Sequence, residues 1–119
     1  MKTQKLILIR QGVVDWYIAG DNHCGVAKGR ESRVETKYGI KLVCKPKTDK
    51  RGFLVDQLWL DAYVQKYASA YHTASCELTC IALARALFKA LPKHCSVLRL
   101  VVTLSPAPFA ASMTVELTN

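Results

Sequence analysis

The sequence predicts a small α+β domain in which two strands, two helices and two further strands follow one another. Three observations carry this. In Arg33 to Cys44, residues Val34, Thr36, Tyr38, Ile40 and Leu42 alternate with Arg33, Glu35, Lys37, Gly39 and Lys41. A period of two with one charged face marks a half-exposed antiparallel strand. Leu60, Tyr63, Val64, Tyr67 and Tyr71 fall at helical spacing and line one face of a helix. Val97 to Leu104 is β-branched and apolar, with Arg99 and Thr103 as its polar members, as expected of an inner strand covered on both sides.

The remaining elements fall around these. Lys5 to Ala19, rich in Leu, Ile and Val, reads as the first strand, with Gly12 as a bulge or bend. Gly20, Asp21 and Asn22 signal a turn, and a loop containing Gly25 and Gly29 runs to about Ser32. Pro46 ends the second strand, and Lys47 to Gly52 is a polar turn. Asp56 is placed to cap the first helix by accepting a backbone N–H. Thr73 or Ser75 can cap the second, whose first turn holds Glu77, where a negative charge suits the helix dipole. Cys80, Ile81, Ala84, Leu87, Phe88 and Leu91 form its buried stripe, Arg85 and Lys89 lie outside it, and Pro92 stops it.

Ser105 to Pro108 reads as a rigid turn, too rich in proline to continue a strand. Ala111, Met113, Val115 and Leu117 then alternate with Ser112, Thr114 and Glu116 as the last strand. With no internal repeat, low-complexity segment or linker, one domain over residues 1–119 is expected. Two strand pairs around a helix pair give a four-stranded antiparallel sheet with both helices on one face. The other face would carry Val, Thr and Leu beside charges, a surface better accommodated inside an oligomer.

Composition bounds the function. Half of the 119 residues are hydrophobic, so the chain is no disordered tail. Ile81 to Leu91 is broken by Arg85 and Lys89, short of the ~20 apolar residues of a membrane span. Leu6 to Ile9 is too short for a signal-peptide apolar region, and Arg10 follows at once, so a cytoplasmic protein is expected. Five cysteines form no framework, and reduced, mostly buried thiols are expected. Cys76 and Cys80 stand one helical turn apart but lack a second ligand pair for a metal. The formal net charge of +8 favours acidic partners: nucleic acid, nucleotides or phosphorylated substrates. The cations concentrate in Lys28 to Lys50 and Arg85 to Arg99, without the interleaved aromatics of single-strand binders. Nucleic acid as a partner therefore rests on charge alone.

Short motifs point to one family. Cys24-Gly-Val-Ala-Lys28-Gly29-Arg30, running into the second strand, resembles the Cys-x3-His-Gly-His loop of the 6-pyruvoyl- and 6-carboxy-tetrahydropterin synthases. Gly52-Phe-Leu-Val-Asp56 is similar to that family's Gly-x-x-x-Asp before the first helix, and Ser75-Cys-Glu77 to its Ser-x-Glu or Thr-x-Glu opening of the second. The element order is also that of the T-fold to which the family belongs. The resemblance implies a T-fold ββααββ chain that assembles with copies of itself into a barrel. It also implies a pterin or purine-like ligand held between subunits.

The departures from the family bear on chemistry. The loop histidines that bind zinc in the family fall at Lys28 and Arg30, and the third zinc histidine falls at Gly20 or Asp21. An ammonium has no lone pair to donate, and a guanidinium keeps its proton. His23 stands nearby, but one histidine does not make a site. The family's Asp-His pair before the second helix is matched at His72, but Tyr71 precedes it, and the nearest other acid is Asp61. The glutamate that holds a base edge after the third strand is missing from Val102-Thr-Leu-Ser105, where Thr103 or Ser105 could bond more weakly.

The dihydroneopterin aldolases, a metal-free T-fold branch, are not matched either: Tyr17 stands where their glutamate would be wanted, and Ser105-Pro106 lacks their lysine. Cys24 is either a nucleophile or base, with Lys28 or Arg30 lowering its pKa, or an inherited loop thiol without a role. The expected site comprises Cys24 and His72 as candidate catalytic residues and Lys28, Arg30, Glu77, Thr103 and Ser105 as ligand contacts, with no metal and no cofactor. Binding of a small anionic or heterocyclic ligand is the first expectation; an active pterin lyase or aldolase using Cys24, and a basic binding or scaffold protein for nucleic acid, are the alternatives. Metal analysis of the purified protein, with its native mass read in the same preparation, is expected to find an oligomer without stoichiometric zinc.

Overall fold

The computed structural model describes residues 4–19, 31–70, 76–106 and 112–119. Its elements are β1 (Leu6–Ala19), β2 (Glu31–Cys44), α1 (Gln57–Ala70), α2 (Cys76–Ala90), β3 (Val97–Pro106) and β4 (Met113–Thr118). The strands form one antiparallel sheet in the order β1-β2-β3-β4. Both helices pack on one face of it. The core is built by even-numbered residues of β1, β2 and β3, among them Trp16, Ile40, Leu42, Leu100, Val102 and Leu104, joined by Val97, while Met113, Val115 and Leu117 of β4 pack against it. Leu60, Val64 and Ala68 of α1 and Cys80, Leu83, Ala84, Leu87 and Leu91 around α2 close it from above.

Local chemistry sets the helix starts and turns. Asp56 Oδ1 accepts hydrogen bonds from Leu58 N at 2.9 Å and Trp59 N at 3.4 Å, the cap expected at the head of α1. In the turn before it, Asp49 Oδ1 accepts from Arg51 N and Phe53 N. Gly52 there adopts φ 89°, a conformation that favours glycine.

Several expectations are corrected. β2 starts at Glu31, ahead of Arg33, because the ladder with β1 continues to Ala19 opposite Glu31. β3 does not stop at Leu104: Ser105 and Pro106 pair with Lys37 and Thr36. Pro106 is the last residue of the strand and lies beyond the β4 ladder, where proline's fixed φ fits extended backbone at little cost. The outer face of β3 is half-exposed, so the strand is covered on one side and not on two. In α1, Ala68 joins the buried stripe and Tyr63 and Tyr67 are half-buried. In α2, Leu83 is fully buried while Ile81 and Phe88 are half-buried. Tyr71, Thr73, Ser75 and Ala111 lie outside the described residues.

Gly12 is neither a bulge nor a bend. It sits in unbroken register opposite Tyr38, whose ring lies across it. A Cβ at position 12 would fall 2.8 Å from Tyr38 Cε1, and nearer still to Cζ and Oη. The glycine therefore makes room for a ring that crosses from β2 to the edge strand.

That ring ends in a polar cluster beneath α1. Arg10 grips Asp61 side-on, Nε to Oδ1 at 3.0 Å and Nη2 to Oδ2 at 2.5 Å, and Tyr38 Oη donates to Asp61 Oδ1 at 2.9 Å. Arg10 Nη1 also donates to Gln57 Oε1 at 3.2 Å, and Gln65 Nε2 to the Val13 carbonyl at 3.3 Å. Successive turns of α1 are thus tied to β1. Gly12→Ala is expected to lower stability by about 1–3 kcal/mol, the usual range for overpacking. Urea unfolding of the single variants and of Gly12→Ala with Tyr38→Ala should show strong non-additivity, since removing the ring removes the clash.

Candidate ligand site

On the face of the sheet away from the helices, the odd-numbered residues of β1, β2 and β3 surround a hollow of about 650 Å3. This lies within the usual range of small-molecule sites. The register arranges its lining in three rows. Ile9 stands beside Lys41 and Lys41 beside Val101; Gln11 beside Gly39 and Gly39 beside Thr103; Val13 beside Lys37 and Lys37 beside Ser105.

The central position is Gly39, which projects no side chain. A Cβ there would meet only Thr103 Cβ, at 3.9 Å. The floor of the hollow is therefore bare backbone, flanked across the strands by an amide and a hydroxyl. Along β2 it is flanked by two lysines about 13 Å apart at the Cα atoms, from the rise of an extended strand. No acid lines the hollow. Asp15 and Glu35 face each other one row beyond Val13 and Lys37, and at the other end Glu116 is engaged by Arg99 at 2.9 Å. The arrangement can take a planar group over Gly39, hydrogen bonds at its edges and negative charge at either end.

Among the expected site residues, Thr103 and Ser105 are brought together here, two positions apart on β3. Thr103 Oγ1 lies 3.1 Å from Thr114 Oγ1, which leaves the hydroxyl able to bond outward as well. Glu77 is exposed in the first turn of α2, on the helical side of the sheet, and does not line the hollow. Cys24, Lys28, Arg30 and His72 lie outside the described residues. Gln11, Lys37, Gly39 and Lys41 were not anticipated as ligand contacts. Their signal was the charged face of the second strand, which periodicity alone reads as a solvated surface.

The described thiols are chemically quiet. Cys44, Cys80 and Cys95 are free and buried. Burial pushes Cys80 and Cys95 up to about 11 and raises Cys44 as well, so none is a thiolate at neutral pH. Among the described residues no three histidine, cysteine or carboxylate side chains are grouped to hold a metal ion. Nor is Asp61 a free acid. The hydrogen bond from Arg10 holds its carboxyl below the usual range, burial works against this, and the Tyr38 hydroxyl adds to it. Tyr38 is in turn pushed up to about 12, by burial first and then by its bond to Asp61. Among the described residues no helix is long and apolar enough to cross a membrane.

No protein-family model and no curated protein sequence matches the chain. Solved structures do. It superposes on 6-pyruvoyl tetrahydropterin synthase from Plasmodium vivax with a TM-score of 0.64, over 98% of this chain and 99% of that one, at 13% identity. Two variants of the same enzyme, with a catalytic glutamate replaced by alanine or by cysteine, match at a TM-score of 0.65 over the same shares of both chains, again at 13% identity. The chain has a tetrahydropterin-synthase-like T-fold. At this identity the likeness establishes the fold.

Because its pKa is lowered on folding, Asp61 contributes stability that is fully present above the unfolded carboxyl value and is lost as pH falls through the folded one. Asp61→Asn is expected to cost on the order of 2 kcal/mol at neutral pH, as for a hydrogen bond to a charged group. In urea melts the gap between the variant and the parent should begin to narrow below about pH 4 and close as pH falls through the lowered folded value, where the parent loses the same interaction.

Proposed function

We propose that this chain is a tetrahydropterin-synthase-like protein repurposed for binding. It takes a small, flat, anionic ligand of pterin or purine type, held between subunits of a barrel-forming homo-oligomer. The observation that carries the reading is the bare floor at Gly39, with Lys37 and Lys41 on either side and Gln11 and Thr103 across it. A planar ring needs a flat, unobstructed surface and polar atoms at its edge. A phosphate or carboxylate tail needs a cation that no acid has already taken. Lys28 and Arg30, at the positions of the zinc histidines of the resembling family, add two more cations to the same chain.

Self-association is supported by the face itself. It exposes Ile7, Ile9 and Val13 at 51%, 64% and 49%, and β1 and β4 are open edges. In this reading Cys24 and His72 are remnants without turnover. A cytoplasmic site of action is part of the same proposal.

The test is thermal unfolding and native mass with a dihydroneopterin phosphate, a purine nucleotide or inorganic phosphate added. A heterocyclic phosphate at a hundred times its Kd is expected to stabilise the fold by about 2.7 kcal/mol. Gly39→Val should abolish this stabilisation without unfolding the strand, because valine suits an extended chain and the position has room. Binding unchanged in Gly39→Val, or none with any of the three, overturns the reading. Turnover of the dihydroneopterin compound that disappears in Cys24→Ala would make the chain an enzyme instead.

A further inference from the structure

We propose that the end of the molecule where the β2–α1 and α2–β3 connections meet binds single-stranded nucleic acid through its phosphates. This surface is separate from the hollow. Cations from the end of the first cation-rich stretch and from within the second are brought together there. The β2–α1 connection carries Lys45, Lys47, Lys50 and Arg51; the last turn of α2 and the turn after it carry Lys89 and Lys93. All six are exposed.

The two connections are bonded to each other. Lys45 N donates to the Ser96 carbonyl at 3.0 Å, and the Leu54 carbonyl lies 2.6 Å from His94 Nε2 and 3.0 Å from Cys95 Sγ. Asp49 folds the first connection back on itself through Arg51 N and Phe53 N. The cations therefore stand on a braced surface and not on a loose tail.

The charge there is largely uncompensated. Residues 45–56 and 89–96 hold six basic side chains against Asp49 and Asp56, a net +4 of the chain's formal +8. Asp49 is already paired with Arg51 at 3.4 Å, and Asp56 caps α1. None of the four lysines at 45, 47, 50 and 93 has an ion-pair partner among the described residues.

Among these cations stands one aromatic ring. Phe53 is 53% exposed, and the Arg51 guanidinium lies 5.3 Å from its centroid. A cationic surface with an exposed ring suits a strand whose phosphates meet lysines and whose unpaired base stacks on the ring. A lipid surface suits it less. Phe53 and Leu58 are its exposed large apolar side chains, too few for an apolar face that enters a bilayer. An acidic protein would meet the lysines, but a planar face for Phe53 recurs at every base of a strand and only at scattered side chains of a protein.

The experiment is fluorescence anisotropy of the full chain with a labelled single-stranded oligonucleotide of about 12 nucleotides, as a function of salt. Affinity is expected to fall linearly in log–log form. The slope should become shallower by about 2 in the triple variant Lys47→Ala/Lys50→Ala/Lys93→Ala. Lys66→Ala, a charge change on α1 outside this surface, should leave the slope unaltered. Phe53→Ala should weaken single-strand binding about tenfold at constant slope and leave duplex binding unchanged. The proposal is overturned if no binding is seen at low salt, or if Lys66→Ala matters as much per charge as the triple variant. It is also overturned if anionic phosphatidylserine vesicles bind with the same variant dependence while the oligonucleotide does not.

Discussion

Helices and strands of equal residue count differ in length, and this fold is shaped by that difference. A 14-residue helix is about 21 Å long, whereas a 14-residue strand reaches about 46 Å. β1, β2 and α1 each have 14 residues. The helical layer therefore covers roughly half of the β1–β2 ladder, and only on one side. Past Thr36, where β3 ends at Pro106, Asp15–Ala19 and Glu31–Glu35 continue as two strands with no third beside them among the described residues. A two-stranded ribbon is marginal alone in water. The uncovered face is thus the part of the sheet whose residues core packing does not explain, whereas Trp16, at the start of this arm, is still buried in the core.

Within the covered half, one polar cluster sets the height of α1 against the sheet. Arg10 points towards the helices, where a lone cation would be costly, and Asp61 meets it with both oxygens. Tyr38 reaches the same carboxylate only because Gly12 offers no Cβ to block its ring. The bonds are mutually dependent, since losing any one partner leaves the others short of a bond in a half-buried site. Sliding α1 by one turn would break them all, together with the Gln65 bond to the Val13 carbonyl.

The element order and the inward faces were legible because local signals agree with the global arrangement. Alternation marked Tyr38, Ile40 and Leu42, and Asp56 marked the start of α1. What misled was chemistry that depends on a neighbour distant in sequence. Gly12 looks like a bulge until Tyr38 is known to lie across it. Pro106 looks like a stop until it is known to be the last pair of a ladder. Leu83 was passed over because a stripe drawn through Cys80, Ala84 and Leu87 leaves it at the margin, whereas the sheet buries it fully. The hollow was half legible. Thr103 and Ser105 were marked from the family resemblance, but Lys37, Gly39 and Lys41 gain meaning only from the register that sets them beside β3.

The same one-sided cover separates two kinds of surface. The open face is a grid of alternate residues from three strands, with a bare centre and charge at two fixed points, a geometry set by shape. The connections at the other end display lysines on exposed turns around one ring, a geometry set by charge and not by shape. The two lie on different elements: the outward residues of β1, β2 and β3 in one case, the β2–α1 and α2–β3 connections in the other. β2 links them, since its Lys37 and Lys41 face the hollow and its last residue, Cys44, leads directly into Lys45. The two surfaces share no residue, so a substitution on one removes no side chain of the other.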